Sequence, residues 1–211
     1  MARSSSKPGT GPGSPPRIEL RDEPFAAEVR SSAEVYRGAV WGVREDRVRY
    51  GDGEIVRQYL DHTGAVAVVA IDEDGNVLLI QQYRHPIRQR DWELPAGLLD
   101  VAGEDPIQAA RRELAEEADL VAVSWEPLIS IHTTPGSNSE IVHIYLATGL
   151  SPADVPFERE DEEADILLAW VPLAEAADGV LDGRLRNGIL AAGVLAAERR
   201  LSPTGRPRRG A

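Results

Sequence analysis

Apolar positions in the first half of the chain alternate with polar ones or gather in short β-branched runs, whereas two later segments repeat every three to four residues. Residues 35–43, 47–50 and 54–61 carry the alternation and the β-branched or aromatic side chains of strands. Asp52-Gly53 between the last two predicts a hairpin turn. Residues 64–71 and 76–83 are almost continuously apolar and flank the turn sequence Asp72-Glu73-Asp74-Gly75. Strands of that kind are expected to be covered on both faces. A helix is predicted over 105–119, with Asp105 as N-cap, Pro106 at the first helical position and Gln108 completing a capping box. Its Ile107, Ala110, Leu114 and Ala118 form one apolar stripe. Strand patterns return at 125–132, 139–148 and 166–172, followed by a short helical pattern at 173–178 and a longer one at 187–200. Strands on either side of a central helix, closed by further helix, imply an α/β sandwich.

The flanks differ in kind. Residues 1–17 and 202–211 are rich in Ser, Gly, Pro and Arg, with little to bury, and are read as disordered tails. The ordered chain divides into 18–62 and 63–201. The full 211-residue sequence contains no cysteine, which excludes disulfides, thiolate metal sites and cysteine nucleophiles. The uninterrupted apolar run at 65–71 is far too short to span a bilayer, and the N-terminus lacks a signal-peptide core, so no membrane partner and a cytoplasmic location are expected. Thirty-five acids against 23 bases leave a net charge of −12, which disfavours nucleic-acid binding. An anionic small-molecule substrate would then require locally concentrated cations.

The helix at 105–119 carries the candidate chemistry. At about 100° per residue, Glu113, Glu116 and Glu117 fall on one flank beside the Leu114 stripe. Carboxylates at these spacings repel one another unless a cation lies among them, and an all-oxygen donor set favours Mg²⁺ or Mn²⁺ over zinc. Arg112 is placed to orient one of them. A solvated acidic face is the alternative reading of the same spacing.

The segment from Gly97 through Glu104, Arg112, Glu113, Leu114, Glu116, Glu117 and Leu120 resembles the Nudix box, G-x5-E-x7-R-E-U-x-E-E-x-G-U with U apolar. It departs from that pattern twice. Six residues separate Gly97 from Glu104, Gly103 being the added one, and Asp119 stands where the family has glycine. A left-handed C-cap is expected at that position. The resemblance implies the Nudix α/β/α sandwich around a mixed sheet, preceded by an N-terminal antiparallel β-subdomain. It also implies metal ligation by Glu113, Glu116, Glu117 and the backbone carbonyl of Ala96, while Glu104 supports the loop or binds an outer metal.

Three further segments resemble the ADP-ribose pyrophosphatase branch of that family: Gln81-Gln82-Tyr83-Arg84, Trp92-Glu93-Leu94-Pro95-Ala96-Gly97, and the loop from Thr134 through Pro135 and Gly136 to Glu140. Substrate contacts are accordingly expected at Arg84, Glu93, Pro135, Gly136 and Glu140. Arg84, His85, Arg88 and Arg90 form a cationic run that is a candidate for facing a pyrophosphate, although Arg88 and Arg90 serve equally well as partners for surface acids. Trp41 or Tyr36 is a candidate for stacking on adenine, with core packing as the alternative. The branch takes its general base from a loop outside the box. The acidic run at 157–166 occupies that place, and its spacing to Asp165-Ile166 selects Glu162, with Glu163 as the neighbouring candidate. The resemblance thus implies metal-dependent hydrolysis of ADP-ribose to AMP and ribose 5-phosphate by a homodimer joined through residues 18–62. The alternatives are a Nudix hydrolase of another nucleoside diphosphate sugar or dinucleotide, and a non-catalytic ligand sensor of the same fold.

Overall fold

The computed structural model describes residues 20–155, 157 and 165–202. The chain first builds an antiparallel meander from β1 (Glu28–Arg37), β2 (Gly42–Tyr50) and β3 (Gly53–Asp61), in that spatial order. The strand expected over 35–43 is two strands. Residues 38–41 form a turn closed by the Gly38 amide donating to the Trp41 carbonyl at 2.8 Å. A Cβ at Gly38 would stand 2.9 Å from that same oxygen, so the turn requires glycine, a close approach that alternation in the sequence does not reveal. The next hairpin turns one residue earlier than expected: Tyr50 pairs with Gly53, leaving Gly51-Asp52 as the loop, with Gly51 at φ 59°.

The remaining chain runs β4 (Ala65–Ala70), β5 (Asn76–Arg84), β6 (Gln89–Glu93), β7 (Ala96–Leu98), α1 (Pro106–Ala118), β8 (Leu120–His132), β9 (Ile141–Pro152), β10 (Leu167–Pro172), α2 (Leu173–Leu181) and α3 (Gly188–Leu201). A four-stranded sheet has the order β7-β4-β9-β8. It is mixed, because β4 and β9 pair in parallel while the other pairs are antiparallel. A three-stranded antiparallel sheet, β10-β5-β6, adjoins it through the Ile71–Val77 bridge. Asp72 shapes the turn between β4 and β5, its carboxylate accepting from the amides of Asp74 and Asn76 and from the Asn76 side chain.

The two faces of β4 explain its unbroken apolar sequence. Ala65, Ala67, Val69 and Ile71 enter a cluster with Leu94, Ile144, Ala176, Leu190 and Val194, on the side of α2 and α3. Val66, Val68 and Ala70 enter a second cluster with Ala109, Ala110, Leu114 and Tyr145, on the side of α1. Side chains of a strand alternate between faces, so a strand roofed by helices on both sides must be apolar at every position. This is the α/β/α sandwich expected from the sequence. On the far side α3 is capped by Asn187 and approaches closely at Gly193, where a Cβ would lie 2.6 Å from Leu94. Among the described residues no helix is long and apolar enough to cross a membrane.

Leu190 is fully buried in the α3 layer and remote from the α1 face. Leu190→Ala is therefore expected to destabilise the fold by about 3 kcal/mol through lost burial and a residual cavity, measurable as a lowered urea midpoint.

Candidate active site

Helix α1 begins with the N-cap and the proline that the sequence predicts. Asp105 caps it by accepting from the Ile107 amide at 3.0 Å, and Pro106 occupies the first turn, where its missing N–H leaves no bond unmade. Its buried face comprises Ala109, Ala110, Glu113, Leu114, Glu117 and Ala118. Two carboxylates thus lie in the stripe that holds Leu114 against the sheet, Glu113 being 8% exposed and Glu117 4%. Withdrawing a carboxylate from water costs several kcal/mol unless donors replace the lost hydration. The Ala96 amide on β7 donates to Glu117 at 2.8 Å. Arg112 donates to Glu113 at 2.6 Å and, through the same nitrogen, to Glu116 at 3.0 Å. Its other nitrogens reach Glu104 at 3.3 and 3.4 Å. Partial burial alone would lower the Arg112 pKa, but the hydrogen bond to Glu104 and the charges of Glu113 and Glu116 outweigh it and raise the guanidinium above its ordinary value. Arg112 therefore stays charged and knits three carboxylates together.

Gly97 is part of the same construction. A Cβ there would meet the Glu113 carboxylate at 2.0 Å, so the absence of a side chain on β7 is what admits Glu113 beneath it. The two departures from the box are absorbed locally. Gly103, at φ 80°, takes up the added residue in a turn where the Glu104 amide donates to the Val101 carbonyl. Asp119 adopts the expected left-handed C-cap, φ 54° and ψ 35°, with its amide returning to the Ala115 and Leu114 carbonyls. A non-glycine residue holds that conformation at a cost of about 1 kcal/mol.

The remaining expected residues form two groups. In the β5–β6 hairpin, Ile80 pairs with Glu93, so Ile80, Gln82 and Arg84 share a face with Glu93. Arg84 grips Glu93 with two parallel bonds of 2.8 and 2.7 Å, and Gln82 adds a third at 3.4 Å. The cationic run is split by this register. Arg90 pairs opposite Tyr83, which puts it on the other face, where it lies 3.8 Å from Asp165. Arg88 sits in the intervening turn at φ 52°. The second group gathers where β3 meets the 134–140 loop. Leu60 exchanges backbone bonds with Ser137 and Ser139, and the Ser137 and Asn138 amides both return to the Thr134 carbonyl around Pro135 and Gly136. Glu140 accepts from the Thr133 hydroxyl and lies 3.5 Å from His62, whose ring stacks on Trp41 with centroids 5.8 Å apart. His62 escaped the sequence reading, since a histidine just past a strand carries no signal until the fold brings Glu140 to it. Trp41 keeps 44% of its surface open. Tyr36 and Trp41 also line a hollow of about 300 Å³ with Gly38, Val40, Val43 and Leu60. Glu162 and Glu163 lie outside the described residues.

Among the described residues no three acidic or imidazole groups are gathered at metal-holding distances; the cation among the α1 carboxylates is Arg112. The donor set still suits a hard divalent ion, being all oxygen, partly buried and already organised around positive charge. The close fit at Gly97 is directly testable. Gly97→Ala should destabilise by about 1–3 kcal/mol through overpacking against Glu113. Gly188→Ala, where nothing lies within 4 Å of the added carbon, should be neutral or slightly stabilising. Paired denaturant titrations read the difference.

Comparison with known proteins agrees with this geometry. The model of the NUDIX domain matches residues 61–190. An ADP-ribose pyrophosphatase of Mycobacterium tuberculosis is 49% identical over 170 residues, which cover 80% of this chain and 82% of that protein. A methanol dehydrogenase activator of Bacillus methanolicus is 37% identical over 145 residues, covering 68% of this chain and 78% of that protein. A crystal structure of an ADP compounds hydrolase superposes with a TM-score of 0.71 at 21% identity, covering 86% of this chain and 97% of that one, and shows the shared fold. With the box helix, its carboxylates and the sandwich all in place, the chain belongs to the NUDIX domain family.

Proposed function

We propose that this protein hydrolyses the diphosphate of ADP-ribose to AMP and ribose 5-phosphate, using Mg²⁺ or Mn²⁺ held by Glu113, Glu116, Glu117 and the carbonyl of Ala96. The observation that carries the reading is the set of Glu104, Glu113 and Glu116 around Arg112, with Glu117 fastened to the Ala96 amide. Of these, Glu113 and Glu117 lie on the buried face of α1, where donated hydrogen bonds offset the hydration they lose. The 49% identity to the Mycobacterium tuberculosis ADP-ribose pyrophosphatase over four-fifths of the chain supports the choice of substrate.

When bound, the divalent ions supply Lewis acidity, neutralise phosphate oxygens and lower the pKa of the attacking water. The chain's own residues do the rest. Arg112 holds Glu113 and Glu116 in orientation. Glu162, or its neighbour Glu163, accepts the proton of the water whose oxygen bonds to phosphorus, and the bridging P–O bond breaks towards the departing phosphate. Arg84 turns part of its guanidinium to a substrate phosphate while Glu93 holds the remainder in place. Pro135, Gly136 and Glu140 shape the pocket wall, and the open face of Trp41 stacks on adenine. The exposed apolar side chains of the first meander, Val29, Val35, Tyr36 and Val40, support a homodimer formed through residues 18–62. A cytoplasmic location suits such a substrate.

A substrate panel tests the reading: ADP-ribose should be cleaved faster than ADP-glucose or GDP-mannose, with equal AMP and ribose 5-phosphate released. Equal rates on all three would remove the substrate assignment and leave only the diphosphatase. EDTA should abolish turnover, and Mg²⁺ or Mn²⁺ should restore it. Glu117→Gln is expected to lower kcat by at least about 100-fold, with far-UV circular dichroism unchanged. Sedimentation equilibrium should return twice the chain mass.

A further inference from the structure

His62 stands where the first meander gives way to the sandwich, and its side chain is only 7% exposed. Its Nδ1 accepts from the Gly64 amide at 3.0 Å. A backbone amide can only donate, so Nδ1 offers its lone pair there and the ring proton resides on Nε2. Nε2 in turn lies 3.5 Å from Oε1 of Glu140, a side chain 14% exposed. The other carboxylate oxygen of Glu140 accepts from the Thr133 hydroxyl. The imidazole also stacks on Trp41, with 25° between the ring planes.

These contacts reach three separate elements. Gly64 immediately precedes β4 and its carbonyl accepts from the Leu99 amide at 3.0 Å, so the Nδ1 bond fixes the ring to the body of the sandwich. Trp41 closes the turn between β1 and β2, and Glu140 ends the loop that carries Pro135 and Gly136. The His62 amide donates to the Ser139 hydroxyl at 2.9 Å, next to Glu140. A phenyl ring can stack on an indole, and an amide side chain can point an N–H at a carboxylate. An imidazole does both at once, while its second nitrogen sets the tilt of the ring.

We propose that His62 is a positioning residue for substrate binding. With its proton on Nε2, it holds the indole of Trp41 and the carboxylate of Glu140 at a fixed spacing, so that the nucleotide meets both without having to order them. This rests on the reading of Trp41 and Glu140 as substrate contacts.

Spectroscopy and kinetics test the assignment together. Long-range ¹H–¹⁵N NMR of the wild-type imidazole at neutral pH should show Nδ1 unprotonated and Nε2 protonated; the opposite tautomer, or a doubly protonated ring, would overturn the proposal. That readout needs no variant to fold. His62→Asn retains an acceptor for the Gly64 amide but deletes the ring and the Nε2 donor. Its KM for ADP-ribose should rise about 3-fold to 10-fold, the worth of one aromatic stack. Its kcat should stay within about 2-fold of wild type, which marks a loss of binding rather than of chemistry. In a Trp41→Ala background the same substitution should raise KM by a smaller factor, because one of the groups it positions is already gone. An unchanged KM, a loss confined to kcat, or an equal factor in both backgrounds would each count decisively against His62. Trp41→Ala and Glu140→Gln check the underlying reading by themselves. If neither raises KM, or if the wild-type protein cleaves no nucleoside diphosphate sugar, the contact assignment fails and the positioning role is rejected with it, whatever the tautomer.

Discussion

The structure depends on keeping carboxylates ionised on a helix face that the hydrophobic effect draws against a sheet. Glu113 and Glu117 share that face with Ala110 and Leu114, so they cannot retain full hydration while the helix packs. Removing any of their partners leaves buried charge uncompensated, which is far worse than never having placed it there. The partners come from two elements, Arg112 on the helix itself and the Ala96 amide on β7, and Glu104 steadies Arg112 from the preceding loop. Strand β7 is short because its task is local. It pairs with β4 just long enough to present one amide and one glycine to α1.

Charge follows the same economy elsewhere. The chain is strongly acidic as a whole, and while most of its arginine pairs lie at the surface, some of its arginines meet buried carboxylates. Arg84 on Glu93 and Arg112 on Glu113 are the two clearest cases, one in a hairpin and one on a helix. The Arg84 and Arg112 side chains are 43% and 31% exposed. A planar guanidinium held by carboxylate oxygens is fixed in orientation.

The first meander is joined to the sandwich by few but specific contacts. Leu60 adds a short bridge to the loop carrying Pro135 and Gly136, and His62 lies between Trp41 and Glu140. The stacking candidate on one unit and the loop carboxylate on the other are thereby tied through one imidazole ring.

Much of this was legible in the chain because local rules decide it. The cap at Asp105, the continuous apolar run of β4 and the placement of Glu113 and Glu117 beside Leu114 follow from periodicity and propensity over a few residues. The left-handed cap at Asp119 follows in the same way, from the end of a helical pattern. What the chain alone did not disclose depends on residues far apart in sequence. No local pattern brings the Ala96 amide to Glu117, stacks Trp41 on His62, or divides Arg84 and Arg90 between opposite faces of a hairpin. Spacing selected which acids belong together and set Arg112 beside them; only the packing of β7 against α1 brought the Ala96 amide that lets Glu117 be buried.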